Sequence, residues 1–349
     1  MKKLFALLLC LVLMIPVLAM ADTEITLWTY PIGNWTNAET VDGIIAEFNK
    51  VHPEIKVSVQ YLDYTSGDDQ VTTAIEAGTT PDIIMEGPER LVTNWGAAGK
   101  MLDISDLWTE EALADIGATS QAVVAACKSP DGKFYEYPLC MTTHCMTINK
   151  TAFEAAGAMQ YLDAETRTWT TEGFVNALRA LAENGTTPVT GIVYCGGQGG
   201  DQGTRALVNN LNGGTFTNAE HTEYTWNSPE NIQALTDLYN CEGIAYDAGI
   251  VGGDEIKYFY NGQLNMAFCW NISQEVNNAD ALGFDVLPMA FPSDSTPSLQ
   301  GGIWGFGVFN NGDDAKIEAA KTFIKFMTES DEQYFKAVAA SSFAPCRDL

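Results

Sequence analysis

The chain has 349 residues, of which 45 are acidic and 18 basic, giving a formal net charge of −27 at pH 7, and 46% are hydrophobic. That charge repels nucleic acid and anionic membrane surfaces and argues against both as partners. The hydrophobic fraction is that of an ordinary globular protein, which argues against disorder.

Lys2 and Lys3, the apolar run from Leu4 to Leu18, and Ala19-Met20-Ala21 have the charged, hydrophobic and small-residue segments of a secretory signal peptide, cleaved before Asp22. Pro16 interrupts the run, which is short for a bilayer span, and no later stretch approaches the ~20 uninterrupted apolar residues a membrane helix needs. The expectation is a soluble exported chain, in the periplasm or on the extracellular side of the cell surface. Cys10 follows three leucines and lies too early for a lipid-attachment cysteine, so no lipid anchor is expected. Residues 22–349 are more than one compact core usually holds, so two lobes are expected.

In chain order, Glu24 to Tyr30 reads as a first strand, and Val41, Ile44, Ile45 and Phe48 fall at helical spacing within Thr40 to Asn49. Pro53 stops that helix, and Ile55, Val57, Val59 and Tyr61 alternate with polar residues as a second strand. Val71, Ala74 and Ile75 mark a second helix leading through Gly78 to the short buried strand Pro81-Asp82-Ile83-Ile84-Met85. Repeated strand-helix units imply an α/β fold with a mainly parallel sheet covered by helices. The apolar segment Phe134 to Ile148 reads as the first crossing between lobes. Helices follow at Thr171 to Asn184 and at Pro229 to Tyr239, where Ser228 is placed to cap and Pro229 suits the first turn. Between them lies a glycine-rich loop, Gly196 to Gly203. Gln263 to Trp270 and Gly301 to Phe309 read as strands, and Asp314 to Thr328 as an amphipathic helix.

Motifs for chemistry are sparse. The glycine-rich segment lacks the Gly-Lys-Ser/Thr ending of a phosphate-binding loop and does not fit G-x-G-x-x-G; it reads as a turn opening a helix at Thr204. There is no H-E-x-x-H and no G-x-S-x-G, and the three histidines, His52, His144 and His221, are far apart. His144 beside Cys145 suggests a metal or nucleophile, yet nothing in sequence supplies the other members of such a site. After the signal come Cys127, Cys140, Cys145, Cys195, Cys241, Cys269 and Cys346, an odd set without C-x-x-C pairs, which argues against a disulfide scaffold and a zinc ribbon. A bridge between Cys140 and Cys145 stays open. No cofactor and no metal are implied. Aromatic and amide residues near strand ends stand out: Trp28, Tyr30, Trp35, Trp270, Asn271 and Trp304. Sugars present apolar C–H faces and a rim of hydroxyls, which flat rings and amide or carboxylate groups complement. Trp35 and Trp270, beside Asn34 and Asn271, are the candidate stacking platforms.

Several segments together resemble the family-1 extracellular solute-binding proteins, the group that includes the maltose-binding and glycerol-3-phosphate-binding proteins of ABC importers. They are the exported start, Glu47-Phe48-Asn49-Lys50 followed by His52-Pro53-Glu54-Ile55-Lys56-Val57, Thr80-Pro81-Asp82-Ile83-Ile84, and Gly132-Lys133-Phe134-Tyr135 with Tyr137-Pro138. Further on come Ile148-Asn149-Lys150 before Phe153, Tyr260-Asn261-Gly262-Gln263 leading to Met266-Ala267 and Trp270, and Gly301-Gly302 before Ala319-Ala320-Lys321.

The resemblance implies a two-lobed periplasmic-binding-protein-like fold (type II), each lobe a mainly parallel sheet flanked by helices, with a hinge that closes on a ligand. It places crossings near residues 143, 261 and 309, hence one lobe of residues 22–143 plus 262–308 and another of 144–261 plus 309–349. It implies ligand binding by Tyr30, Trp35, Glu86, Thr142, Thr143, Trp270, Asn271, Gly301, Gly302 and Trp304, without catalysis. Further helices are expected after a segment similar to Phe343-Ala344-Pro345, whereas this sequence stops at Leu349. The function implied is capture of a small ligand, a sugar or oligosaccharide, and its delivery by a monomer to the membrane permease subunits of an ABC importer. Two alternatives stay open: a polyamine or other cation as cargo, suggested by the acidic composition, and a secreted carbohydrate-active enzyme, which needs two carboxylates facing one cleft.

Overall fold

Alternation of buried Ile25, Leu27 and Thr29 with more exposed neighbours makes Thr23–Thr29 a strand, β1. In the structure, a computed structural model that describes residues 22–184, 190–196, 201–218, 222–271, 274 and 282–347, β1 pairs in parallel with Ile55–Tyr61 (β2) and Ile83–Glu86 (β3). The link from β1 to β2 is helix Ala38–Val51 (α1), whose Val41, Ile45 and Phe48 face inward. Its first turn is capped by Asn37 Oδ1, which accepts from the Thr40 amide at 3.2 Å. Helix Gly67–Ala77 (α2) joins β2 to β3 and ends at Gly78 with φ +67°, the left-handed conformation that glycine adopts without a Cβ penalty.

The thirteen-residue strand Tyr137–Asn149 (β4) organises the rest. Its first part runs antiparallel to Gln300–Val308 (β9) and to the short Ala344–Pro345 (β10). Its last part runs antiparallel to Met266–Trp270 (β7) and Val286–Met289 (β8). The resulting eight-stranded sheet has the order β10-β4-β9-β3-β1-β2, with β7 and β8 on the far half of β4. Gly191–Tyr194 (β5) and Ile244–Asp247 (β6) form a separate parallel pair. Parallel pairing thus holds for the strand-helix-strand units, while every partner of β4 is antiparallel to it.

Two large buried clusters flank the change of partners along β4. The first holds Ile25, Trp35, Phe48, Phe306, Phe323 and Tyr334; the second holds Met146, Phe153, Phe174, Leu207, Met266 and Met289. This packing differs from the expected partition. Residues 262–308 do not travel together, because β7 and β8 pair with the end of β4 and bury Met266, Phe268 and Met289 in the second cluster. Residues 309–349 do not join the second lobe, because helix Asp314–Glu329 sets Phe323 edge-on to Phe48 at 5.0 Å and helix Asp331–Ser341 buries Tyr334 in the first cluster. Burying one such ring contributes about 1.5–3 kcal/mol, enough to fix these helices to the first lobe. The chain passes to the second core within β4 and returns between Phe291 and Phe306.

In the second lobe, helix Thr171–Asn184 buries Phe174, Leu178 and Leu181. Helix Gln202–Asn210 begins two residues before the expected Thr204, and residues 197–200 of the glycine-rich loop lie outside the described residues. Helix Pro229–Asn240 starts as its sequence demands, with Ser228 Oγ accepting from the Asn231 amide at 3.2 Å. Among the described residues no helix is long and apolar enough to cross a membrane.

Candidate functional site

A cavity of about 600 Å³ lies between the lobes, walled by Asp68, Glu86 and Arg90 from the first and by Gln202 and Arg205 from the second. Glu86 is the last residue of β3, and the chain then turns through Gly87 and Pro88 into a wide helical segment, Glu89–Gly96. Arg90 is therefore one turn beyond Glu86, and its Nη1 donates to Glu86 Oε1 at 3.1 Å. The same guanidinium forks Asp68 at the start of α2, through Nε to Oδ1 at 2.7 Å and Nη2 to Oδ2 at 3.0 Å. It lies over the rings of Tyr30 and Tyr64, 5.2 and 5.8 Å from their centroids, and the two rings stack on each other at 5.2 Å. The Tyr30 hydroxyl donates to Asp68, closing the network.

Burial pushes the Glu86 carboxyl up to about 8, against the downward pull of Arg90. Burial, with the Asp68 carboxylate beside it, pushes the Tyr30 phenol well up. Glu86 is thus held toward its protonated form beside Arg90, and across the cleft Arg205 donates through Nε to Asp201 Oδ1 at 3.0 Å. The charged groups of the wall are thus largely engaged with one another although the chain as a whole is strongly acidic.

The floor is sheet. His144 pairs in register with Gln300 and Thr142 with Gly302, so these four positions share one face by the two-residue period of strands, and Trp304 follows on β9. Burial pulls the His144 imidazole down to about 4, so it is neutral at physiological pH. Among the described residues its Nδ1 and the Gln300 Oε1 have no hydrogen-bond partner, nor does the Thr142 hydroxyl. His144 Nε2 is 3.3 Å from the Asn271 side-chain nitrogen.

The expected site residues separate into three groups. Glu86, Gly301, Gly302 and Trp304 line the cleft. Thr143, Trp270 and Asn271 line a second cavity of about 460 Å³, which Thr142 also borders although its register places it on the His144 face. Thr143, Cys145 and its register partner Trp270 lie on the sheet face opposite His144, which puts this cavity behind β4. Tyr30 and Trp35 are fully buried. Tyr30 supports the cleft wall from beneath. Trp35 is no platform: its Nε1 donates to the Ala337 carbonyl at 3.1 Å and its ring meets Phe306 edge-on, because it follows β1 into the first core. Trp270, 1% exposed, packs edge-on to Phe259 and Tyr260 and does not reach the cleft.

Sequence reasoning missed Asp68, Arg90, Gln202, Arg205 and Gln300, and discounted His144. One signal was readable: Pro88-Glu89-Arg90 follows the end of β3 immediately, where open α/β sheets place ligands. The seven described cysteines are unbridged, and among the described residues no group of His, Cys, Asp and Glu could hold a metal ion.

Two lobes, a sheet strand shared between them and a polar cleft at the crossing define a solute-binding protein of the hinged two-lobe class. Residues 33–334 match the bacterial extracellular solute-binding proteins, and the chain belongs to that family. No curated protein sequence matches it. Three similar solved structures show the same fold. An ABC substrate-binding protein from Listeria monocytogenes in complex with cycloalternan is 22% identical, with 94% of this chain and 81% of that chain covered and a TM-score of 0.72. An ABC transporter solute-binding protein from Thermotoga lettingae bound with α-D-tagatose is 19% identical, covering 93% and 82%, TM-score 0.72. One from Agrobacterium radiobacter in complex with ribitol is 18% identical, covering 95% and 81%, TM-score 0.72.

Proposed function

We propose that the chain captures an uncharged sugar or oligosaccharide in the inter-lobe cleft and delivers it, unaltered, to the permease subunits of an ABC importer, acting outside the cytoplasmic membrane. The observation that carries this reading is that the charged side chains of the cleft are paired with one another. Asp68 is held by Arg90, Glu86 is buried and held toward its protonated form beside Arg90, and Arg205 is paired with Asp201, so the wall offers donors and acceptors whose charges are largely engaged with one another. Hydroxyl groups, each both donor and acceptor, suit such a wall. A polyamine requires carboxylates free to face it, and here the buried ones are already engaged. The carbohydrates and polyol held by the similar structures named above support the same ligand class. In this reading the ligand contacts Glu86, Arg90, His144, Gln300, Gly301 and Trp304, with Gly302 beneath the Trp304 ring.

The test is a thermal-shift and calorimetric screen of the purified chain against sugars, oligosaccharides, polyols and polyamines, with the ligand recovered and analysed afterwards. Saturable binding of a sugar recovered intact is the expected result. A polyamine binding in preference to every sugar overturns the proposed cargo, and a sugar recovered cleaved overturns the binding-only role.

A further inference from the structure

Trp304 is an indole that lines the inter-lobe cleft. Its ring stacks on Phe343, with centroids 4.9 Å apart and planes 22° apart. The distal edge of the indole lies on Gly302: a Cβ placed there would stand 2.7 Å from Cζ2 and 2.9 Å from Cζ3, and closer still to Cη2. Any side chain at 302 would therefore displace the ring. Gly302 is not at a positive φ, so the ring and not the backbone requires glycine here. Trp304 is only partly buried and lines the cleft beside Gln300 and Gly301. One face is covered by Phe343 and one edge is seated on the strand, which leaves the other face to the cavity.

From this geometry we infer that Gly302 and Phe343 hold Trp304 as a preformed stacking platform, and that the cleft selects ring sugars in the pyranose form over open-chain polyols. The inference rests on the proposed sugar-binding function and deepens it. A pyranose presents a flat patch of C–H groups that an indole face covers, whereas an acyclic polyol has the same hydroxyls but no rigid face. A ring already fixed on two sides loses little rotamer freedom when the ligand arrives, so more of the stacking energy appears as affinity. Gly302 and Phe343 are positioning residues; Phe343 acts from the far end of the chain.

Calorimetric titration of the wild-type chain and of Gly302→Ala, Phe343→Ala and Phe343→Tyr against glucose, maltose, maltotriose, mannitol and ribitol tests this. The wild type is expected to bind a pyranose at least about tenfold more tightly than either polyol, and Gly302→Ala and Phe343→Ala to lose about three- to tenfold for the pyranose, the usual worth of an aromatic face. Their polyol affinity should change less than about twofold, and Phe343→Tyr should restore the pyranose. A general loss of structure would weaken both ligand types together, so the selectivity ratio is the deciding readout; if Gly302→Ala does not fold, Phe343→Ala and its rescue decide alone. Unchanged pyranose affinity in folded variants, or a wild type that prefers a polyol, overturns the platform and leaves sugar binding standing. A folded wild type that binds none of the five overturns the sugar reading itself.

Discussion

The two faces of β4 carry two cavities of similar size and opposite character. In front, about 600 Å³ is walled by charged side chains that hold one another in place, Asp68 to Arg90 to Glu86, with Arg205 opposite. Behind, about 460 Å³ is lined by Met141, Cys145, Trp270 and Pro288, with the exposed Arg167 at its margin. Consecutive residues of one strand feed both: His144 faces forward, Thr143 and Cys145 backward. A short run such as Thr142-Thr143-His144-Cys145 is therefore not one site, and nearness in sequence says little about which chemistry a residue serves.

The largest effect that separates core from cleft is expected for Trp35→Ala. Removing a fully buried indole should cost about 3–5 kcal/mol, read as a lower urea midpoint, while the folded fraction keeps its ligand affinity. A variant that melts like the wild type but binds poorly would return Trp35 to the binding surface. Next comes Arg90→Met, which leaves Asp68 and the buried Glu86 without their shared partner and should cost about 3 kcal/mol together with ligand affinity. The matching change behind the strand, Arg167→Met, breaks no ion pair among the described residues and should stay within about 0.5 kcal/mol. Equal effects from the two arginines would erase the distinction between front and back.

Glu136 gives a change of opposite sign. Both its carboxyl oxygens are buried without a partner among the described residues, and burial, with Glu89 and Glu86 adding to it, holds the carboxyl well above its usual range. Glu136→Met should stabilise the fold by about 1–3 kcal/mol, since it removes an unsatisfied polar group and keeps the volume. A carboxyl whose folded pKa is raised contributes stability that is lost as pH rises, so the gain should be larger at pH 8 than at pH 5. A destabilised Glu136→Met at both pH values would mean that the carboxyl is structurally required.

Local signals were legible in the sequence because their physics is local. The spacing of Val41, Ile45 and Phe48 and the cap at Ser228 are set within a few residues and stand where expected, and the strand expected over Pro81 to Met85 forms at Ile83–Glu86. The lobe boundaries were not legible, since they depend on which strands pair with the far half of β4 and on Phe323 meeting Phe48. Glu86 was found through its strand, whereas Arg90 gains its place from Asp68, on a different helix. Trp35 beside Asn34 resembled a platform, and only the fold shows that a carbonyl at Ala337 takes its N–H.

His144 joins the two cavities, facing the cleft while its Nε2 meets Asn271, which lines the rear one, and it yields the smallest expected effect. Burial pulls its pKa to about 4, below that of an unfolded histidine, so the unfolded chain takes up a proton first and stability falls as pH drops from 7 toward 4. Between pH 7 and pH 6 the loss from this group should be under about 1 kcal/mol. Glu86 and Glu255, whose carboxyls burial raises to about 8, act in the opposite sense over the same interval, because each holds its proton in the folded state and loses that advantage as pH rises. The raw stability profile therefore mixes the two, and the informative quantity is the wild-type curve minus that of His144→Asn. That difference is expected to grow in favour of the wild type as pH rises; one that instead shrinks as pH rises would mean the imidazole is charged in the folded protein, which would add a positive charge to the cleft and favour an anionic ligand over a neutral sugar.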